Sequence, residues 1–149
     1  MATVTAVREA LVRRLDRIPG LVVRPTFGLQ PAPPVAMLVL GVPGGSASTP
    51  GVDYGSTFRG GNPMIFTLRV LVSAAHEESA VHQLDAYIDP VGERSVVAAL
   101  EADSEPLVDE GGVMIADFVQ VPALLFAGPM EWSGAPYFGG EWLVEVRAT

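Results

Sequence analysis

Apolar residues recur along the chain with two different spacings, and these spacings predict the order of helices and strands. Steps of three and four residues predict an amphipathic helix over 4–18, with one apolar stripe formed by Val4, Val7, Leu11, Leu15 and Ile18. The same spacing predicts a helix over 76–88, with a buried face of Ala80, Val81, Leu84, Tyr87 and Ile88. Ser95 is placed to cap a short third helix over 96–102.

Between these helices lie segments with the length and composition of strands. Residues 35–40 form a continuous apolar run, which is typical of a strand covered on both faces. Apolar residues alternate over 64–73, and further strands are predicted over 21–24, 113–121 and 137–147, the second of these with an open option to run on past Pro122. The element order predicts an α+β fold in a single domain over 1–149. Its mixed or antiparallel sheet would have about four to five strands, with two to three helices packed on one face.

The last predicted strand has one clearly apolar side. Trp142, Val144 and Val146 share one side of it, which favours packing in the core. The pair Gly139-Gly140 indicates a bulge or a close approach of another part of the backbone.

Two segments lack a periodic apolar pattern and are predicted as loops. Residues 41–63 form a long, flexible loop rich in Gly and Pro, and residues 128–136 form a second loop. Aromatic and Arg side chains on loops are common at protein interfaces, which makes a partner interface the prediction for Asp53, Tyr54, Phe58, Arg59 and Trp132. The alternative is that Tyr54 and Phe58 fold back over the core.

Composition narrows the chemistry that the chain performs. It is 49% hydrophobic, which excludes global disorder, and its 9 basic and 17 acidic residues give a net charge of −8. Such a charge disfavours non-specific binding of nucleic acid or anionic membranes. The basic residues are all Arg, and Cys is absent, which excludes lysine Schiff bases, Walker-type phosphate loops, disulfides and cysteine-based zinc sites.

The remaining polar residues form no motif of known chemistry. His76 and His82 are six residues apart, a spacing that does not place them together on one face of a helix. The acidic stretch 101–110 lacks the ligand spacing of a calcium loop, and no Ser is flanked by the glycines of a nucleophile elbow. The longest apolar runs, 35–40 and 122–127, are too short to span a bilayer. We therefore predict no catalytic, cofactor-binding or metal-binding residues, and a soluble intracellular protein when first made.

Several segments together resemble a known family. They are LDRIPGLVV after the first helix, VAMLVLGVP leading to DYGSTFRGG, HQLDAYIDPVGERSVVAALEAD, and the closing EWLVEVRAT. In these segments the chain resembles the tail terminator (tail completion) proteins of long-tailed bacteriophages of high-GC actinobacteria. The resemblance covers nearly the whole length, and its most specific part is residues 84–103.

The resemblance implies a structural virion protein of the tail or neck, assembled in the host cytoplasm. Six copies would form a ring at the head-proximal end of the tail tube, end tube polymerisation and provide the head-docking surface. Its partners would be further copies of itself, the tail tube protein and a head–tail connector or head-closure protein. DNA would only pass through the lumen. A separate hypothesis, motivated by the net charge of −8, is that acidic side chains line this lumen. No cofactor, membrane or catalysis is expected.

A ring requires two different, complementary patches on each subunit. The Arg-bearing first helix and the acidic segment after the third helix are the predicted pair, with Arg8, Arg13, Arg14, Arg17, Glu101, Asp103 and Glu105 as candidate residues. Two alternatives remain open. One is another ring protein of the phage neck, such as a head-closure or minor tail component. The other is a small ligand-binding domain or enzyme, with a pocket between sheet and helices under a lid made by 41–63.

Overall fold

The helices and strands follow the predicted order, with one added strand. The computed structural model describes residues 3–24, 33–43, 50–54, 62–101 and 106–148. The elements are α1 (Val4–Leu15), β1 (Val22–Arg24), β2 (Val35–Leu40), β3 (Asn62–Ser73), α2 (Glu77–Ile88), α3 (Val96–Leu100), β4 (Leu107–Val108), β5 (Met114–Trp132) and β6 (Ala135–Ala148). The addition, β4, lies in the acidic stretch 101–110, where no strand was predicted. The sheet therefore has six strands, more than the four to five predicted.

The six strands form one mixed sheet in the order β1-β2-β3-β6-β5-β4, and the sheet curls into a half-barrel. Only β1 and β2 run parallel, and every other neighbouring pair is antiparallel. The longest regular pairing joins β3 to β6, from Asn62 opposite Ala148 to Ser73 opposite Tyr137. These two strands form the centre of the α+β domain, and β1 lies at one end of the sheet.

The three helices pack on one face of the sheet, as the alternation predicted. Phe66 and Leu68 of β3 and Trp142 of β6 are fully buried in the same cluster as Leu11 of α1 and Leu84 of α2. Residues 35–38 are buried on both faces of β2, as the continuous apolar run indicated. Val81 differs from the prediction, because its side chain is 42% exposed. The stripe of α2 that faces the sheet is narrower than the spacing of apolar residues suggested.

Polar side chains set where the helices begin. The Thr3 hydroxyl accepts a hydrogen bond from the Ala6 amide at 3.1 Å, and the Ser95 hydroxyl accepts one from the Ala98 amide at 3.1 Å. Each satisfies an amide of the first turn that has no partner within its helix. The predicted capping role of Ser95 is therefore confirmed.

The prediction of a loop over 128–136 is wrong, because this segment is the tip of a long β-hairpin. Strand β5 continues to Trp132, which pairs with Ala135 across a two-residue turn. The turn residues Ser133 and Gly134 have φ angles of 49° and 79°, as the tight turn of a twisted hairpin requires. Gly and Pro suggested a loop here, but both residues are tolerated in edge strands and at bulges.

The paired glycines of β6 are a site of close approach, as predicted. A Cβ atom on Gly139 would lie 2.8 Å from the Val70 carbonyl oxygen, and one on Gly140 would lie 2.7 Å from the Trp142 ring. Larger residues would push β6 away from β3 and displace the largest buried side chain of the core.

The described parts of the predicted loop 41–63 are attached to β3. The Gly41 amide donates to the Ile65 carbonyl at 2.7 Å, and the Ile65 amide donates to the Gly51 carbonyl at 2.8 Å. Val52 forms an isolated bridge with Met64. Residues 44–49 and 55–61 lie outside the described residues, and with them most of the region predicted to be flexible.

Candidate functional site

The most unusual surface feature is a row of exposed apolar side chains along one side of the sheet. Within the described ranges, eleven large hydrophobic side chains are exposed, and seven of them lie between residues 108 and 126. These seven belong to β4, β5 and the turn between them: Val108, Val113, Met114, Phe118, Leu124, Leu125 and Phe126. Single exposed apolar residues are normal, whereas a concentrated patch marks a surface that another molecule covers.

Backbone pairing explains why this side of the sheet is open. Strand β4 covers β5 only at Met114 and Ala116. Further along, the Glu101 carboxylate accepts a hydrogen bond from the Val121 amide at 2.9 Å, which closes the edge at that point. From Ala123 to Gly128, the strand pairs in the described structure with β6 alone. We call the outer side of residues 123–128 the β5 edge.

The β5 edge has no charged side chain to protect it. Its sequence is ALLFAG, and Leu124, Leu125 and Phe126 are 40–47% exposed. A flat apolar edge normally aggregates, and proteins guard such edges with charges, prolines or bulges. Pro122 and Pro129 stand at its two ends, and a register shift between Leu124 and Phe126 places a bulge within it. The prolines thus delimit a six-residue apolar segment without a charged guard.

A second cluster lies on the face of the sheet away from the helices. Val35, Met37 and Leu71 are fully buried there, under side chains from the tip of the β5–β6 hairpin: Met130, Trp132 and Tyr137. The hairpin therefore curls back over the sheet, and its tip borders an open cleft of about 430 Å³.

Ionic and aromatic contacts lock the hairpin in this position. Arg69 of β3 forms a salt bridge with Glu141 of β6, and its guanidinium lies 5.4 Å from the centre of the Trp132 ring. A cation over an aromatic face is attracted by the ring quadrupole. Trp132, predicted to contact a partner from a loop, thus contacts its own sheet.

The other predicted partner-interface residues lie elsewhere. Asp53 is half-buried, with its amide bonded to the Pro63 carbonyl at 3.3 Å, and Tyr54 beside it is 78% exposed. Both lie near the start of β3, whereas Trp132 contacts Arg69 in the second half of the same strand. Phe58 and Arg59 lie outside the described residues. The described members of this set do not form one cluster.

The basic and acidic segments predicted to join neighbouring subunits meet within one subunit. Arg14 is buried and donates to the carbonyls of Leu100 at 2.6 Å and Pro106 at 3.2 Å. Arg13 donates to the Val108 carbonyl at 3.0 Å. The first helix therefore binds the chain around its own third helix, so these two arginines have a role in the fold.

The other residues predicted to join neighbouring subunits differ in their burial and contacts. Arg8 is half-buried with its guanidinium 6.0 Å from the centre of the Phe66 ring, and Arg17 is exposed. Glu101 is committed to the Val121 amide, and Asp103 and Glu105 lie outside the described residues.

Neither histidine is placed in a reactive arrangement. His76 occupies the N-cap position of α2 without a capping hydrogen bond from its side chain, and His82 is exposed. In the described ranges, no three His, Asp or Glu side chains lie close enough together to hold a metal ion. No described helix has the length and apolar character needed to cross a membrane.

Comparison with known proteins adds no relative. No protein-family model matches the sequence, and no curated protein matches it either.

The β5 edge is the feature that sequence analysis missed. Its signal was the apolar run 122–127, which was considered as a membrane span and as a continuation of the strand 113–121, but not as an edge. An uncharged run of strand length between two prolines indicates an exposed edge strand, but only once the neighbouring strands are known.

Proposed function

We propose that this chain is a structural virion protein of a long-tailed bacteriophage. In this proposal six copies form a ring at the head-proximal end of the tail tube. The ring ends tube polymerisation and provides the surface on which the head docks. Two things support it: the resemblance to tail terminator proteins along nearly the whole chain, and an exposed apolar edge strand suited to assembly.

The β5 edge is the observation on which this proposal rests most directly. Three large apolar side chains are exposed side by side on a strand whose outer backbone groups face solvent in the described structure. Removing apolar surface from water is favourable by about 25 cal/mol per Å². An apolar edge that is exposed in the free monomer therefore favours association. An assembly protein needs this property, whereas a self-contained monomer does not.

The proposed partners follow from position in the particle. One rim of the ring would contact the tail tube protein, and the other would contact a head–tail connector or head-closure protein. DNA would pass through the lumen without specific binding, consistent with a net charge of −8. We propose no cofactor and no catalytic step.

Inactivating the gene in the phage that encodes this chain tests the proposal. We expect tail tubes of uncontrolled length and heads that remain unjoined, seen by electron microscopy of the lysate, with both defects corrected by supplying the wild-type chain. Tails of normal length that fail only to join heads would instead indicate a head-closure or other neck ring protein. Normal, finished particles would contradict both assignments.

A further inference from the structure

The sheet has two open ends of different character. At one end is β1, which pairs only with β2 in the described structure and exposes 47% of Val22. At the other end is the β5 edge, beyond the short β4. Within the described ranges no further strand pairs with either end, and a sheet with such ends can extend from one subunit into the next.

Charge distinguishes the two ends. The 19 residues of β5 contain two acids, Asp117 and Glu131, both exposed, and no basic residue. Residues 17–24, which end in β1, contain Arg17 and Arg24, both exposed, and no acidic residue. Opposite charges at two ends of one molecule favour contact between unlike ends over contact between like ends.

Pairing between two β5 edges is disfavoured by the same reasoning. It would bring together two strands that carry only acidic charges, with no basic residue on either to compensate. Pairing between β5 and β1 would instead bring Arg24 of one copy toward Glu131, three residues beyond the β5 edge of the next.

We propose that the β5 edge of one copy binds β1 of a second copy, so that the sheet continues from subunit to subunit. This inference rests on the proposed ring function and specifies the contact that builds the ring. Such a head-to-tail contact uses two different patches, and it closes into a ring when the rotation between subunits divides a full turn. Val22 of the neighbour would pack against the apolar side chains of the β5 edge that share its face of the joined sheet, and Pro122 and Pro129 would limit the paired length.

Blocking each end separately tests the contact. We expect Leu125→Lys to block the β5 edge, because Lys is a natural guard of edge strands, and Arg24→Glu to weaken the β1 end. Each variant alone should lower the association constant by about tenfold or more, measured by sedimentation velocity. Val91→Lys, at a side chain 75% exposed in the turn after α2, is the matched control and should associate like wild type.

Mixing the two variants distinguishes the proposed contact from its alternatives. Each retains one intact end, so an equal mixture should form heterodimers and no larger species, as measured by native mass spectrometry. If two β5 edges paired instead, Arg24→Glu would still associate alone, while Leu125→Lys would not. That result would overturn the proposal.

Cysteine cross-linking detects the contact even when association is weak, because the chain contains no native Cys. A Val22→Cys, Leu125→Cys double variant treated with a short bis-maleimide should give a ladder of covalent oligomers. Val91→Cys combined with Leu125→Cys is the control and should give none. Absence of the ladder in the double variant would overturn the proposal.

Rings formed by the wild-type chain test the proposed function, whereas the cross-linked ladder tests the contact between β5 and β1. Wild-type rings with no ladder would overturn this contact and leave the proposed function in place. A ladder that grows into open filaments would support the contact and contradict the ring. Monomers without any ladder would overturn this contact, and the phage experiment would then decide the proposed function.

Discussion

The environment of Arg14 in the structure differs from the one that its sequence pattern predicts. On a helical wheel it is a surface charge, but in the fold it is 6% exposed and bonded to two carbonyls near the end of α3. A buried guanidinium is tolerated only when its donors are satisfied. Here it fastens α1 to the segment that leads into β4, which helps to place the strand beside β5.

Replacing Arg14 should therefore destabilise the subunit. We expect Arg14→Leu to lower the free energy of unfolding by about 2–3 kcal/mol, because the buried carbonyl of Leu100 and the partly buried carbonyl of Pro106 lose a charged donor. Urea denaturation followed by circular dichroism measures this change. Arg17→Leu, at an exposed position on the same segment, should change stability by less than about 0.5 kcal/mol. Equal effects of the two variants would contradict this account.

Tyr87 is a second residue whose environment has a measurable consequence. Burial raises the pKa of Tyr87 above its ordinary value of 10.0, an effect partly offset by a hydrogen bond with Gln83 and by the charge of Arg94. The unfolded chain therefore releases this proton at lower pH than the folded chain. The contribution to stability is present below about pH 10 and is lost as pH rises through the raised pKa.

We expect Tyr87→Phe to reduce the loss of stability between about pH 9 and 11. The free energy of unfolding, measured by urea denaturation at several pH values, should fall less steeply than in wild type. Tyr54→Phe, at a side chain 78% exposed, is the matched control and should keep the wild-type slope. An unchanged slope in Tyr87→Phe would show that its burial does not couple to pH.

At the scale of elements, the β5–β6 hairpin decides the shape of the molecule. Its strands pair from Ala116 opposite Ala148 to Trp132 opposite Ala135, with three register shifts along β5. Bulges increase the local twist of a strand. They suit a hairpin whose tip curls over the second cluster while the middle of β5 stays at the edge.

The two-residue turn of this hairpin offers a direct test. Ser133 has a positive φ of 49°, which Asn adopts more readily than Ser, and the sequence Asn-Gly is strongly preferred in such turns. We expect Ser133→Asn to raise the free energy of unfolding by roughly 0.5–1 kcal/mol. Ser133→Val should lower it, because β-branched residues resist positive φ. Urea denaturation measures both, and a stabilising Val would contradict the assigned turn.

At the scale of the whole molecule, charge and edge structure point to contact with proteins. The chain carries a net charge of −8, and its concentrated apolar surface lies on one edge of one sheet. Acidic surfaces repel phosphate, so DNA that passes a ring of such subunits would slide past it.

We therefore expect the protein to bind DNA very weakly. Fluorescence anisotropy of a labelled duplex at low salt should show no saturation up to about 100 µM protein, the weak limit of ordinary non-specific binding. A basic DNA-binding protein run in parallel verifies that the assay detects binding. Saturation at micromolar concentration would contradict a passive lumen.

Periodicity alone predicted most of the fold. Three local patterns carry this prediction: the apolar stripe of α1, the alternation in β3 and the apolar side of β6. The burial of Leu11, Phe66 and Trp142 follows from these patterns. Turn chemistry was harder to interpret. The same Gly and Pro residues that mark loops also occur in edge strands, so 128–136 was predicted as a loop.

The sequence by itself determined the order of elements apart from β4, the single helix-covered face and the absence of lysine and cysteine chemistry. Only the tertiary structure decided which strands lie at the ends of the sheet, that Arg13 and Arg14 are used within the subunit, and that ALLFAG lies on an open edge. The physical reason is that local periodicity records which side of an element is apolar. Whether another strand covers an edge depends on contacts between residues far apart in the chain.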